Sequence, residues 1–228
     1  MHKILLVLAQ FALLTARQTL AQTPDEDYPP VGSWNNVRVY LSPARHSDTG
    51  KRGECDGASE NILAYNVAKA TAVILASRGY HVRIGRGTFT SAWQRSNAWG
   101  ADLHIVLHSN ARGEGGGCDA NPVNFGTMVL FKKTSPESLE LATELKTHLG
   151  PLSPGVHDFI CPHPGDPCTR INQLAEIMHT NAVVVYSETE FHDWSRGVSW
   201  LKANSPWALQ LAAAIDEYLH YPRAPSKL

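Results

Sequence analysis

Four side chains that can bind a divalent cation or move a proton recur at one kind of position in this sequence: His46, Glu60, His108 and Glu188. His46 lies in LSPARHSDTG, shortly after the apolar run 37–41. His108 closes the run LHIVLH at 103–108, and Glu188 follows VVVYS. Glu60 opens a long helical stretch after CDGAS. Singly, each has an ordinary reading: a surface histidine, a favourable charge in a first helical turn, a solvated residue at a strand end. Together they suit one chemistry. Neutral imidazoles and one carboxylate bind zinc, and three protein ligands leave a fourth position for water. Bound zinc brings the pKa of that water to about 7, and a further carboxylate can take its proton as it attacks a carbonyl.

The elements that must bring these residues together are legible in the hydrophobic pattern. Strands are expected at Val37–Leu41, Tyr80–Ile84, Leu103–His108, Thr127–Phe131 and Ala182–Ser187, and helices at Ser59–Arg78, Ser91–Trp99, Pro136–Leu149 and Pro206–Leu219. Gly79 and Gly100 follow helices as stops. Ser135-Pro136 and Ser205-Pro206 each set a capping serine before proline at the first helical position. VVVY and HIVLH are continuously apolar, as in strands covered on both faces. Alternating strands and helices imply an α/β fold: a single three-layer domain with a mainly parallel central sheet flanked by helices. In such sheets ligands bind beyond the carboxyl ends of the strands, the edge on which all four residues fall. His104 shares the strand face of His108, but four residues at ~3.3 Å each set it about 13 Å away; it is read as structural. His157, His163 and His192 are loop histidines that remain rival ligands.

The rest of the chain bounds the function. Of 228 residues, 43% are hydrophobic and 18% charged, and the formal net charge is −1. That suits a globular domain and argues against nucleic acid or an anionic membrane surface as partner. Residues 1–21 resemble a secretory signal peptide, with the apolar run Ile4–Leu14 too short to span a bilayer. A polar linker at 22–36, a domain over 37–221 and a tail at 222–228 follow. The mature chain is expected to be secreted or periplasmic and off the membrane. Four cysteines in an exported chain suggest two disulfides. Cys161 and Cys168 bracket the turn-forming PHPGDP, which leaves Cys55 with Cys118.

At these residues the sequence resembles the amidase-3 family of zinc-dependent N-acetylmuramoyl-L-alanine amidases, over most of the chain from VRVYLSPARHSDTG to SETEFHDWSRGVSWL. In that family a strand leads into a Pro-Gly-His loop, here Pro43-Ala44-Arg45-His46. A glutamate opens the next long helix, here Glu60. A strand preceded by Gly-Ala-Asp-Leu ends in His-x-Asn, here His108-Ser109-Asn110, and a late strand ends in Glu-x-Gly-Phe, here Glu188-Thr189-Glu190-Phe191. The resemblance implies that His46, Glu60 and His108 are the metal ligands and Glu188 the catalytic carboxylate. Arg95 fits an arginine that the family places ahead of the Ala-Asp strand.

The chain departs from the family in two places. One extra residue enters the histidine loop, and Glu190 replaces a glycine. Glu188 directly follows the apolar strand, where burial raises a carboxyl pKa towards a useful value. Glu188, not Glu190, is therefore the expected acid–base. The resemblance implies a peptidoglycan or muropeptide substrate and cleavage of the amide between N-acetylmuramic acid and L-alanine of the stem peptide. Two other readings stand beside it. A zinc carboxypeptidase would want an arginine to grip a terminal carboxylate, for which Arg45, Arg112, Arg170 and Arg196 are available. A non-catalytic wall-binding module would lack a ligand or the acid, yet all four residues are present.

Overall fold

The apolar runs pair into one seven-stranded sheet. The structure, a computed structural model, describes residues 23–45, 55, 59–111, 118, 126–164 and 173–220. Its strands are β1 (Glu26–Tyr28), β2 (Arg38–Pro43), β3 (His81–Ile84), β4 (Leu103–Asn110), β5 (Met128–Lys132), β6 (Phe159–His163) and β7 (Val183–Phe191). Its α-helices are α1 (Glu60–Ser77), α2 (Phe89–Trp99), α3 (Pro136–Leu149), α4 (Ala175–His179), α5 (Ser195–Lys202) and α6 (Ser205–His220). The sheet order is β1-β3-β2-β4-β7-β5-β6. β1 runs antiparallel to β3 and β5 antiparallel to β7, while the other pairs are parallel. The expected α/β fold, mainly parallel and three-layered, is the one observed.

Period-two alternation decides which helices cover which face. Val39, Leu41, Leu103, Ile105, Leu107 and Val185 point to the face covered by α1, α3, α5 and α6, where Leu63, Val67, Leu141, Leu145, Val198, Trp207 and Leu211 complete the main core. Val106, Leu130, Val184 and Tyr186 point to the other face, against Ile177 of α4. Trp99 of α2 sits on that side too, its ring 6.4 Å from that of Tyr40. The helix signals act as their residue types dictate. Ser135 Oγ accepts the Ser138 N–H at 3.1 Å, and Gly100 closes α2 with φ 70°. Gly79 has φ 89° and lies so close to Ser33 that a Cβ would meet its carbonyl oxygen at 2.6 Å. No helix of the described residues is long and apolar enough to cross a membrane.

Two strands and two helices carried no clear signal. β1 lies in the stretch expected as a linker. It is polar because it is an edge strand, and charge on an edge discourages pairing with another chain. Its Asp27 meets Arg83 Nε at 2.7 Å and His81 Nε2 at 3.1 Å. β6 contains Pro162, which is tolerated because β6 is the opposite edge and pairs only with β5. α4 and α5 have 5 and 8 residues, too short to show a period.

His104 is structural, as expected. It is fully buried, its ring stacks on Tyr40 with centroids 5.2 Å apart, and its Nε2 lies 2.8 Å from Glu176 Oε2. Burial alone would raise the Glu176 carboxyl, but hydrogen bonding and charge from His104, with Ser42 and Arg45, outweigh it and hold the pKa below the ordinary value of 4.5. A depressed folded-state pKa gives stability that is present above about pH 4.5 and lost as pH falls through the folded value. Glu176→Gln should therefore cost about 3 kcal/mol at neutral pH and flatten the acid limb of the stability profile, as read by urea unfolding from pH 3 to 7.

The expected bridge between Cys55 and Cys118 is formed, with Cα atoms 4.8 Å apart. It joins the segment before Glu60 to the segment after His108. Cys55 N–H also donates to the His192 carbonyl at 3.4 Å. Cys161 is disulfide-bonded as well, and its expected partner Cys168 lies outside the described residues. The Cys55–Cys118 link spans 63 residues, long enough to remove about 2–4 kcal/mol of unfolded-state freedom. A Cys55→Ser/Cys118→Ser double variant should lose that much in urea unfolding.

Candidate active site

Register places the first pair. His108 on β4 is the direct partner of Glu188 on the parallel strand β7, and aligned residues of adjacent strands point to the same face. The His108 ring stacks on Tyr186, centroids 4.6 Å apart. Glu60 arrives from α1, whose first turn favours an ionised carboxylate. Its Oε1 lies 2.9 Å from His108 Nδ1 and accepts the Ser109 N–H at 3.1 Å. Glu60 and His108 are each 3% exposed. One donor atom from each of Glu60, His108 and Glu188 falls within 4.8 Å of the other two. These three residues, His192 and the segment 109–111 line an open cavity of about 170 Å³.

Burial and charge give the two carboxylates opposite characters. Burial would raise Glu60, but the hydrogen bond and charge of His108 and the Ser109 N–H hold it well below the ordinary range, so it stays an anion. Glu188 is pushed up to about 7, chiefly by burial, with His108 pulling down and Glu60 pushing up. Its Oε2 is buried and finds no hydrogen-bond partner among the described residues. One fixed anion, one imidazole and a carboxyl that exchanges its proton near neutrality fit a metal-assisted hydrolytic site. Two donor atoms at ~2.0–2.1 Å from a tetrahedral zinc stand about 3.3 Å apart, a few tenths of an ångström beyond the Glu60–His108 contact. His46, the third expected ligand, lies outside the described residues. Pro43 and Ala44, which lead towards it, are held by the end of β4: Pro43 is the register partner of Leu107, and Ala44 N–H donates to the Leu107 carbonyl at 2.8 Å.

Glu190 takes no place in the cavity. It is fully buried, its φ is 60°, and its Oε1 accepts the Gly155 N–H at 2.7 Å. The left-handed backbone explains why the resembling family has glycine there. The two residues do not face the same way, as strict alternation would require, because the chain leaves extended geometry at Glu190. Glu190 thus pins the loop before β6 to the end of β7. Glu190→Gln should keep activity within roughly tenfold, or about 1.4 kcal/mol of barrier. Glu190→Ala should lose about 1–3 kcal/mol of stability by orphaning the Gly155 N–H, which thermal and urea unfolding would register.

The other candidates fall elsewhere. His157 is exposed. His163 is buried in β6, its Nε2 accepting the Leu174 N–H at 3.0 Å. His192, which sequence left only as a rival ligand, is 2% exposed and lines the cavity; no spacing rule marks it, because it reaches the site from a turn after β7. Arg95 binds Asp25 Oδ1 at 2.6 Å and the Thr23 carbonyl at 2.9 Å, anchoring the segment before β1. Arg45 is spent on the carbonyls of Gly87, at 2.8 Å, and Thr88. Arg196 lies over the Trp194 ring. Arg112 and Arg170 lie outside the described residues.

Over 82% of the chain the backbone is similar to that of solved amidases. The fold is that of the N-acetylmuramoyl-L-alanine amidases. The amidase of Clostridium difficile 630 matches with a TM-score of 0.65 at 17% identity, over 82% of this chain and 98% of that one. The amidase of Mycobacterium smegmatis matches with a TM-score of 0.64 at 14% identity, over 82% and 98%. The amidase of Nostoc punctiforme matches with a TM-score of 0.64 at 15% identity, over 82% and 99%. No family model matches the sequence, and no curated protein does. The geometry thus agrees with the motif resemblance at identities of 14–17%.

Proposed function

We propose that this chain is an exported zinc amidase that hydrolyses the amide between N-acetylmuramic acid and L-alanine of the peptidoglycan stem peptide. The observation that carries the reading is the grouping of Glu60, His108 and Glu188 within 4.8 Å, at the carboxyl edge of a sheet folded like the solved amidases. Glu60, His108 and His46 would hold the metal. Zinc at that position supplies Lewis-acid polarisation of the scissile carbonyl and acidifies a water. The chain's own residues do the rest. Glu60, kept anionic, and His108 would turn the facing Oε1 and Nδ1 of their present contact to the metal in place of the hydrogen bond between them. Glu188 takes a proton from the attacking water at its buried carboxylate and returns it to the leaving alanine nitrogen, which a pKa of about 7 allows in both directions. Paired cysteines fit an oxidising, extracytoplasmic location.

The carboxypeptidase reading has less support, because no arginine of the described residues lines the cavity. The test is to digest isolated cell walls and label the new amino groups. An amidase exposes L-alanine amino termini and releases no terminal amino acid. Chelation should abolish the release and zinc should restore it. Single amino acids with no new alanine termini would support the carboxypeptidase instead.

A further inference from the structure

His192 has one edge fixed and the other unused. Its Nδ1 lies 3.1 Å from the Ser109 carbonyl oxygen and 3.0 Å from Ser109 Oγ. A carbonyl can only accept, so the ring proton belongs on Nδ1, and the neutral ring then carries a lone pair on Nε2. That Nε2 is buried and has no hydrogen-bond partner among the described residues. The backbone is clamped as well: His192 N–H donates to the Asn110 carbonyl at 3.0 Å, and its carbonyl receives the Cys55 N–H. The ring lines the same cavity as Glu60, His108 and Glu188, yet it does not join them in the set of mutually close donor atoms.

A buried acceptor held this firmly is costly unless something fills it, because an unsatisfied polar atom away from water loses about 1–3 kcal/mol. The other cavity groups already have tasks. Glu60 and His108 are the proposed metal ligands, and Glu188 handles the proton of the water. The N–H of an incoming amide loses its own water on entering the cavity and needs an acceptor there. We infer that His192 Nε2 is a substrate-binding group that accepts a hydrogen bond from the N–H of the scissile amide. This rests on the amidase reading, which supplies the amide. It adds a residue that none of the aligned motifs contains.

The experiment uses the mature, zinc-loaded protein carrying Glu188→Gln to block turnover, with 15N-labelled histidine. The probe is N-acetylmuramoyl-L-alanyl-D-isoglutamine, and its analogue N-methylated at the alanine nitrogen is the control. The His192 Nε2 resonance, assigned by its loss in His192→Gln, should move upfield with the probe and stay in place with the N-methyl analogue. In otherwise unaltered enzyme, His192→Phe should lose roughly 10–100-fold in kcat/KM with zinc content unchanged and the protein still folded, though loss of the Nδ1–H contact to the Ser109 carbonyl lowers its unfolding midpoint. His192→Gln, whose side-chain oxygen offers an acceptor near the same point, should recover most of that loss. A resonance that ignores the probe overturns the inference, as does a well-folded His192→Phe enzyme with undiminished kcat/KM. If the resonance moves but the active enzyme frees no stem peptide, the amidase reading fails while the contact stands.

Discussion

Glu188→Gln should cut turnover by about 10²–10⁴ while the protein keeps its full equivalent of metal. That loss corresponds to about 2.7–5.4 kcal/mol of barrier. The substitution is close to isosteric, so it leaves the packing at the end of β7 intact and removes only the ability to take and return a proton. The position is specific for three reasons. Glu188 is the register partner of His108, its carboxyl is pushed up to about 7 by burial, and among the described residues its Oε2 has no partner to compete for the proton. A working pKa near neutrality predicts a rate that climbs as pH rises through about 7, because the base must be ionised to accept, and the Gln variant should lose that limb. Parallel kinetics on Glu190→Gln complete the comparison. If Glu190→Gln were the slower enzyme, the acid–base role would move to the residue that pins Gly155.

Replacing His108 by alanine should remove both the metal and the activity. Loss of a group that merely supports a ligand typically costs 10–100-fold in metal affinity, so loss of a direct donor should exceed about 100-fold. His108→Ala also strips Glu60 of its nearest positive partner, 2.9 Å away, and strands a buried carboxylate, which destabilises the fold by about 3–5 kcal/mol. The two effects separate cleanly. Glu60→Gln with His108→Ala should regain part of the stability and none of the metal, as followed by zinc titration beside urea unfolding. His46→Ala should lose metal without the stability penalty of an orphaned Glu60. Variants of His46 and His108 that both retain a full equivalent of zinc would contradict the ligand set.

The sheet was legible because its inner strands are continuous apolar runs, such as VVVY and HIVLH, which only a doubly covered sheet accommodates. Its edges were not. β1 is charged and β6 holds Pro162, and both features suit an edge while imitating a loop. Of the site, Glu60, His108 and Glu188 could be read from their places at element ends. The roles of Glu190 and His192 could not. Glu190 depends on a left-handed backbone that alternation does not foresee. His192 depends on contacts with Ser109, 83 residues away along the chain.

The bond that is cut tests the account most directly. A single purified muropeptide, N-acetylglucosaminyl-N-acetylmuramoyl tetrapeptide, is incubated with the zinc-loaded mature protein and with Glu188→Gln, and the products are resolved by mass. The active enzyme should give two products, the intact disaccharide and the intact tetrapeptide with a free L-alanine amino group, and Glu188→Gln essentially none. A disaccharide tripeptide with free terminal alanine, or a split between the two sugars, would contradict it.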